Sequence, residues 1–371
     1  MLSLYSRLIL LNMRTDLKRV IVTIVSVAGC CALIIVGLTL RSSMYGSIDK
    51  QYGEIVNYDV CVKYDAGAVK DDGKEFSDLF DANGAKYTKI FSTGATYNIK
   101  ELQSVELFCG DIEKINEFYH LEDIKTGKPI IPTDRGILIQ RRIAESYGLD
   151  VGDEFELALG GVRSAIVRVA GVFENYIGRT VVMSGAYYEK VYEKSFTPNS
   201  FLVRFGDADA ASVEEGVKVL EGFDSISGPD GDRALLESSM STLNILVVLF
   251  IFIAGIMAGV VLLNLTNMYI LQKKREMTVM RINGFTVGEV KGYILRETVM
   301  TTILGIILGI GIGTGFAYSI VRTLEQSFFQ MQRTPDFLAW LIAAALTVLF
   351  TVIVNAVALR KIKNLRLTDI A

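Results

Sequence analysis

Four long apolar stretches without a single Asp, Glu, Lys or Arg constrain this chain more than any other feature of its sequence. They run from Val20 to Leu40, from Leu243 to Leu265, from Val299 to Val321 and from Phe337 to Val357. A helix rises about 1.5 Å per residue, so about 20 such residues cross the roughly 30 Å of hydrocarbon in a bilayer. Four uncharged stretches of this length argue against buried core helices of a soluble protein. We therefore predict four transmembrane helices.

The charged residues outside these stretches predict the orientation. Residues 1–19, 266–298 and 358–371 together hold 14 basic residues against five acidic ones, whereas the loop of residues 322–336 holds only two basic residues. Basic segments stay on the cytoplasmic side of a membrane. We therefore expect a multi-pass protein of the plasma membrane with both termini in the cytoplasm. Residues 1–19 are expected to form an amphipathic helix along the inner membrane face.

The large segment of residues 41–242 is predicted to lie outside the cytoplasm. It holds 22 Lys and Arg against 34 Asp and Glu, a net charge of −12, while the rest of the chain carries +9. Its hydrophobic pattern alternates between strand and helix periods, which indicates a mixed α/β domain. Two strand–helix–strand halves are expected near residues 58–91 and 201–226, with a subdomain inserted near residues 104–180. Residues 42–52 and 232–240 are expected to form helical stalks.

Small residues recur at helical spacing inside the predicted spans. Gly305, Gly309 and Gly313 share one face of the third span, and Gly255 and Gly259 are four residues apart in the second. Small residues four apart allow two helices to approach closely in lipid. The sequence predicts tight helix packing, and it leaves open whether this packing is within one chain or between two chains.

Cysteine and histidine usage restricts the chemistry of the chain. Cys61 and Cys109 lie in the acidic domain and can form a disulfide if that domain faces an oxidising compartment. His120 is the one histidine, which excludes sites that need two. We expect neither a metal nor a cofactor in this chain, and no nucleic-acid binding, since no basic stretch is interleaved with aromatic residues.

The segment after the second predicted span carries the most specific motif. It contains Arg275 and Glu276 followed by Gly284, and residues 148–153 read Gly-Leu-Asp-Val-Gly-Asp. These motifs, and the order of one span, a large outer domain and three spans, resemble the permeases of the FtsX/MacB/LolC class of ABC transporters. The resemblance covers essentially the whole chain.

This resemblance implies a MacB-like outer domain of two βαβ halves with an inserted subdomain. It also implies a second permease half, either identical or different, and a cytoplasmic ABC ATPase whose movement is passed to the outer domain, a mode called mechanotransmission. The residues expected to contact the ATPase are Lys273, Lys274, Arg275, Glu276, Arg281 and Gly284. The same basic residues also suit contact with anionic membrane lipid.

Other functions stay open at this stage. The chain has no phosphate-binding loop, because Gly73-Lys74 and Gly127-Lys128 are followed by residues other than Ser or Thr. ATP must then be bound by the partner, and the chain itself is expected to be non-catalytic. The alternative is an FtsX-like regulator or scaffold that activates a cell-wall hydrolase or senses an envelope ligand. An enzyme is disfavoured, since the pair Ser47 and Lys50 lacks supporting motifs. A fragment of a longer permease also fits.

Overall fold

The computed structural model describes residues 17–69, 71–130, 133–160, 163–272, 279, 282, 286–325, 329–333 and 337–362. The chain divides into two compact units. The helical unit contains residues 1–43, 241–324 and 333–371, and the α/β unit contains residues 44–240 and 325–332. In chain order the elements are α1 (Leu17–Lys50), β1 (Val60–Tyr64), α2 (Lys74–Asn83), β2 (Lys86–Asn98), β3 (Leu102–Gly110), α3 (Ile112–Phe118), β4 (Ile137–Gln140), α4 (Arg141–Tyr147), β5 (Glu154–Leu159), β6 (Arg163–Phe173), β7 (Thr180–Ser184), α5 (Gly185–Tyr192), β8 (Ser200–Arg204), α6 (Ala210–Lys218), β9 (Phe223–Ser227), α7 (Pro229–Gln272), α8 (Val287–Leu324) and α9 (Phe337–Ile362).

Each predicted span lies within one long helix, in α1, α7, α8 and α9. Within the described residues, three helical segments are long and apolar enough to cross a membrane: Val20–Ile55, Thr298–Leu324 and Phe337–Val354. The second predicted span corresponds to a shorter apolar segment, Val247–Val261, so its crossing stays a prediction. Residues 42–50 and 232–240, expected as stalks, are helical and continuous with α1 and α7.

The helical unit combines an apolar interior with an apolar exterior. Cys30, Cys31, Ile34 and Ile35 of α1 pack with Ala343 of α9. Large apolar side chains of all four helices nevertheless point outward, among them those of Ile256, Ile307, Phe316 and Val352. Exposing such a surface to water would be unfavourable, and a hydrocarbon environment removes that cost.

Part of the α/β unit consists of two interleaved strand–helix–strand halves, β1–α2–β2 and β8–α6–β9. Their strands follow the order β2-β8-β1-β9, and all three neighbouring pairs are antiparallel. The helices α2 and α6 cover one face, where Phe76, Phe80 and Phe201 are fully buried with Val213 and Val217. The apolar positions of α2 recur at i and i+4, which directs Phe76 and Phe80 to the same face.

Residues between these halves add five strands to the same sheet rather than forming a separate one. The strands β3, β7, β4, β6, β5 and β2 are successive neighbours, and β2 also pairs with β3, so the six strands close into a barrel. Leu107, Ile139, Leu157, Val167 and Val181 belong to the apolar core that fills it. Closure leaves these six strands with no free edge over the paired residues.

A further core lies on the opposite face of the sheet and outside the barrel. It includes Phe108, Phe118, Leu138 and Phe173, and it is covered by α3 and by the turn that follows α1. That turn, Gln51–Ile55, is one turn of π-helix. Single π-helical turns are frequent at functional sites, so the end of α1 is a candidate functional region.

Candidate functional site: a buried polar joint

Three segments of the α/β unit meet beside this further core. They are the turn Gln51–Ile55, the residues 174–177 that follow β6, and Glu325 with residues 329–332, which lie between α8 and α9. Their polar side chains, together with neighbours from β4 and α4, form a cluster that we call the polar joint. Its members are Gln51, Tyr119, Gln140, Arg141, Arg142, Glu174, Asn175, Glu325 and Gln330.

Gln51 fastens the end of α1 to the α/β unit. Its side chain is almost fully buried, and its Oε1 accepts hydrogen bonds from the backbone N–H groups of Tyr176 (2.8 Å) and Ile177 (3.2 Å). A glutamine amide can accept from two backbone donors at once. Losing this acceptor would leave two backbone N–H groups without their partner.

A chain of buried amides continues from Gln51 into the barrel. The hydroxyl of Tyr119 donates to Asn175 Oδ1 over 2.7 Å, and Asn175 Nδ2 donates to Gln140 Oε1 over 3.2 Å. Gln140 Oε1 also accepts from the backbone N–H of Thr180 at 3.2 Å. Burial raises the pKa of the Tyr119 hydroxyl above its ordinary value, so this group stays a donor.

Charged side chains fix the segment between α8 and α9. The Glu325 side chain is fully buried and faces two arginines at the start of α4, with Arg141 Nη2 3.8 Å from Oε1 and Arg142 Nη1 3.8 Å from Oε2. Arg142 Nη2 also donates to the Glu325 carbonyl oxygen over 2.9 Å. Arg141 Nη1 lies 2.7 Å from Glu174 Oε1, a much closer pair. Two arginines and two glutamates give this cluster a formal charge of zero.

Gln330 completes the joint with an amide that has no protein partner. Its backbone N–H donates to the Tyr176 carbonyl oxygen over 2.7 Å, but neither Nε2 nor Oε1 of its side chain bonds to any group in the described part of the chain. The side chain is 1% exposed. Buried amides are nearly always hydrogen-bonded, so this one is unusual.

The residues predicted to contact an ATPase cannot be compared with this geometry. Lys273, Lys274, Arg275, Glu276, Arg281 and Gly284 all lie outside the described residues. Their role stays a prediction from the sequence.

The structure places the predicted packing glycines against helices of the same chain. A Cβ at Gly305, Gly309 or Gly313 would lie 2.7 to 2.8 Å from atoms of Val27, Cys31 or Ala32 on α1. A Cβ at Gly255 of α7 would lie 2.6 Å from the Phe350 ring of α9, and one at Gly259 would lie 3.9 Å from Val354. The sequence left open a contact within one chain or between two, and the close approaches seen here are within one chain.

The disulfide considered for Cys61 and Cys109 is not formed in this structure, where both thiols are free and buried. Cys61 lies on β1 and Cys109 on β3, with β8 and β2 between them. Strands are spaced by about 4.8 Å, which puts the two residues roughly 14 Å apart, well beyond the separation that a disulfide spans. Each thiol packs into a different apolar core instead.

Metal-ion chemistry finds no site among the described residues. No group of three or more His, Cys, Asp or Glu side chains among them could hold a metal ion. Ser47, half of the Ser-x-x-Lys pattern, is fully buried and accepts a hydrogen bond from the Gln332 backbone N–H over 2.8 Å. Ser47, considered as a nucleophile from the sequence, thus binds the backbone of the segment between α8 and α9.

Comparison with known proteins links the C-terminal part of the chain to a family. Residues 248–367, about a third of the chain, match the family described as FtsX-like permease C-terminal. Comparison with curated protein sequences gives no match.

Two solved structures resemble the chain weakly. One is the periplasmic region of MacB from Actinobacillus actinomycetemcomitans, with 10% identity and a TM-score of 0.32 over 51% of this chain and 97% of that one. The other is a domain of a permease protein from Porphyromonas gingivalis, with 11% identity and a TM-score of 0.26 over 44% and 79%. Neither likeness is strong enough to support an argument about fold or function. The family match supports the resemblance seen in the sequence for this part of the chain: residues 248–367 are similar to the FtsX-like permease C-terminal family.

Proposed function

We propose that the chain is the permease subunit of an ABC transporter of the mechanotransmission type, working in the plasma membrane. A separate cytoplasmic ATPase binds and hydrolyses ATP, a second permease half completes the complex, and this chain is non-catalytic. Movement of the spans displaces the α/β unit, which lies outside the cytoplasm. The substrate class is a peptide, a lipid-linked molecule or a drug-like compound for export or extraction.

One observation carries the mechanical part of this proposal. Three chain segments enter the α/β unit from the helical unit, and each is anchored there by a polar side chain. Gln51 anchors the continuation of α1. Arg233, in the first turns of α7, bonds to Asp49 on the continuation of α1 over 2.7 Å, and both side chains are partly exposed. Glu325 anchors the segment between α8 and α9.

Anchors of this kind suit force transmission. A helix that ran into a flexible linker would dissipate a displacement in the linker, whereas the residues that follow α1 are hydrogen-bonded at once to the segment after β6. Buried polar networks have defined geometry because each misplaced group loses its partner in a site of low dielectric. Movement of α1 or of the segment between α8 and α9 is therefore expected to displace the α/β unit.

The test is ATP hydrolysis by the complex isolated with the full-length chain from native membranes and reconstituted in nanodiscs. The wild-type chain is expected to co-purify with an ATPase. Glu325→Gln is expected to change the rate of ATP hydrolysis at least about threefold, because a change at the polar joint alters the conformational step that is coupled to hydrolysis. Lys218→Gln, a half-exposed position on α6, is the matched control. Absence of an ATPase, or equal rates for Glu325→Gln and wild type, would contradict the proposal.

The segment that contacts the ATPase is tested separately. Glu276→Arg and Gly284→Trp are expected to lose the co-purifying ATPase, while the exposed Glu289→Gln, at the start of α8, is expected to retain it. An efflux assay that stays flat, combined with capture of a hydrolase by the α/β unit, would instead favour the FtsX-like regulator.

A further inference from the structure

We propose that the outward face of α2 and α6, with the loops at their ends, is a docking surface for a basic, amphipathic helix of a partner protein. We call this surface the acidic face, and it consists of the exposed, described side chains of residues 65–81 and 206–224. The inference goes beyond the proposed function, since docking here needs neither ATP nor a second permease half.

The acidic face carries most of the net charge of its domain. Its two stretches hold 12 acidic residues against three basic ones, a net charge of −9, out of −12 for the whole of residues 41–242. The acidic residues are Asp65, Asp71, Asp72, Glu75, Asp78, Asp81, Asp207, Asp209, Glu214, Glu215, Glu221 and Asp224. All of these side chains are exposed except that of Glu214, which is partly buried. The surface therefore attracts positive charge over a broad area.

The acids of α2 lie where they oppose helix formation. Glu75, Asp78 and Asp81 follow one another at i, i+3 spacing, which brings like charges together on one side of the helix. Asp81 also lies in the last turn, where the helix dipole disfavours a negative charge, and that turn has no basic residue. A bound cationic partner would relieve this repulsion, so the arrangement favours binding rather than folding.

The chain itself neutralises little of this charge. Among the described residues, one ion pair involves the acidic face: Lys218 Nζ lies 4.0 Å from Glu214 Oε2. Both of these side chains are well exposed, and such pairs contribute little to stability. The remaining acids stay available to a partner.

Apolar side chains lie among the acids. Val219, directly after α6, is 82% exposed, and Leu79 and Leu220 are only partly buried at the margin of the core under α2 and α6. Gly216 of α6 leaves room for Leu79 of α2, whose Cδ1 would lie 3.1 Å from a Cβ at that position. The face is thus both apolar and negative. It complements a helix that carries leucine-like and lysine side chains on its binding side.

Other occupants match the acidic face less well. A second copy of the chain would bring a net charge of −9 against an equal charge, and nucleic acid or anionic lipid would meet the same repulsion. A metal ion needs ligands that converge on one point, and the described residues contain no such group. The acids instead extend over two helices and the loops at their ends, which suits an extended basic partner.

The test is binding of a labelled helical peptide of leucine and lysine, with the leucines on one face, to the full-length chain in nanodiscs of neutral lipid. Fluorescence anisotropy gives the dissociation constant, and empty nanodiscs correct for binding to lipid. One variant removes three charges of the acidic face: Asp78→Asn, Glu215→Gln and Glu221→Gln. It is expected to raise the dissociation constant at least about fivefold.

The matched control removes the same number of exposed charges elsewhere in the α/β unit: Glu117→Gln, Glu122→Gln and Glu156→Gln. It is expected to change the dissociation constant less than about twofold, because distant charges are screened by salt. Equal weakening in the two charge variants would show attraction by net charge alone and would overturn the docking surface.

A second comparison tests the apolar part at constant charge. Val219→Ser is expected to weaken binding at least about threefold, because it removes apolar area from the contact. Leu102→Ser, at a position on β3 that is 71% exposed, is the control and is expected to leave binding unchanged. Unchanged binding in Val219→Ser would also overturn the docking surface. The measurement uses no ATPase, so either result leaves the proposed transport function untouched.

Discussion

Adding one methyl group at Gly309 is expected to push α1 and α8 apart. A Cβ there would lie 2.8 Å from the Ala28 carbonyl oxygen and 2.7 Å from Cys31 Cβ. Backbone atoms cannot rotate away as a side-chain end can. Restoring an ordinary contact of 3.4 Å requires a separation of about 0.6 Å at this point.

The magnitude follows from packing. Forcing an extra carbon into a close helix contact costs about 1–3 kcal/mol. Gly311 is the matched control on the same helix, since a Cβ there meets nothing within 4 Å. Alanine is roughly 0.5–1 kcal/mol more favourable than glycine inside a helix. Both variants gain this preference, so Gly309→Ala should be less stable than Gly311→Ala by the clash cost alone, about 1–3 kcal/mol.

The assay is unfolding of the purified chain in mixed micelles by titration with sodium dodecyl sulfate. Trp340 is the one tryptophan of the chain, and it packs beside the core shared by α1 and α9, so its fluorescence reports the helical unit. We expect Gly309→Ala to unfold at a lower detergent fraction than wild type and Gly311→Ala to unfold at the same or a higher fraction. Coincident curves for the two variants would refute the close contact between α1 and α8.

Three further predictions concern the α/β unit. Gly136→Ala places a Cβ against the Arg168 carbonyl oxygen, closer than two atoms can pack, and should lower the melting temperature by several degrees. Gly94→Ala, with nothing within 4 Å of its Cβ, should leave the melting temperature unchanged; thermal unfolding followed by circular dichroism compares the two. Burial raises the pKa of the Cys61 thiol to about 12, so maleimide should modify it at pH 8 far more slowly than an exposed cysteine. Hydrogen bonds from the backbone N–H groups of Thr126 and Lys125 hold the pKa of Asp123 below its ordinary value. The ionised Asp123 therefore stabilises the fold above its ordinary pKa, and this stabilisation is lost as pH falls through the lowered pKa. Asp123→Asn should make the free energy of unfolding depend less on pH in that acidic range.

Most elements of the fold follow from local patterns in the sequence. The sequence predicts a helix over residues 74–80 and a hairpin of residues 154–157 and 165–172, and the structure has them as α2, β5 and β6 within a few residues of these bounds. The local pattern predicts two strands, residues 87–91 and 95–99, with residues 92–94 between them, where the structure has the single strand β2. Pairing with β3 along residues 90–98 carries the strand through that stretch.

Other elements depend on contacts that no local pattern contains. Residues 180–184 form β7 because β3 and β4 lie on either side of them, and the barrel closes only through pairs distant in sequence. The following helix α5 did carry a local signal, since Ser184 caps it by accepting from the Tyr187 N–H over 2.9 Å.

The polar joint was not predictable from the sequence. Gln51, Asn175 and Gln140 are separated by long stretches of chain, and each looks like an ordinary polar residue near the end of an element. Glu325 carried the one available signal, an acidic residue immediately after an apolar span, but its arginine partners lie 183 and 184 positions earlier. Only the folded chain brings these charges together.

The long strand β2 belongs both to the barrel and to the sheet of the two strand–helix–strand halves, which couples the folding of these two parts. Tyr87 packs against the core under α2 and α6, Ile90 belongs to the core outside the barrel, and Tyr97 lies inside the barrel. A slip of a single position along this strand would turn all three side chains to the wrong side at once. A shift in the register of β2 would therefore disrupt all three cores at once. We expect one strand register to be strongly favoured and the α/β unit to unfold in a single cooperative step.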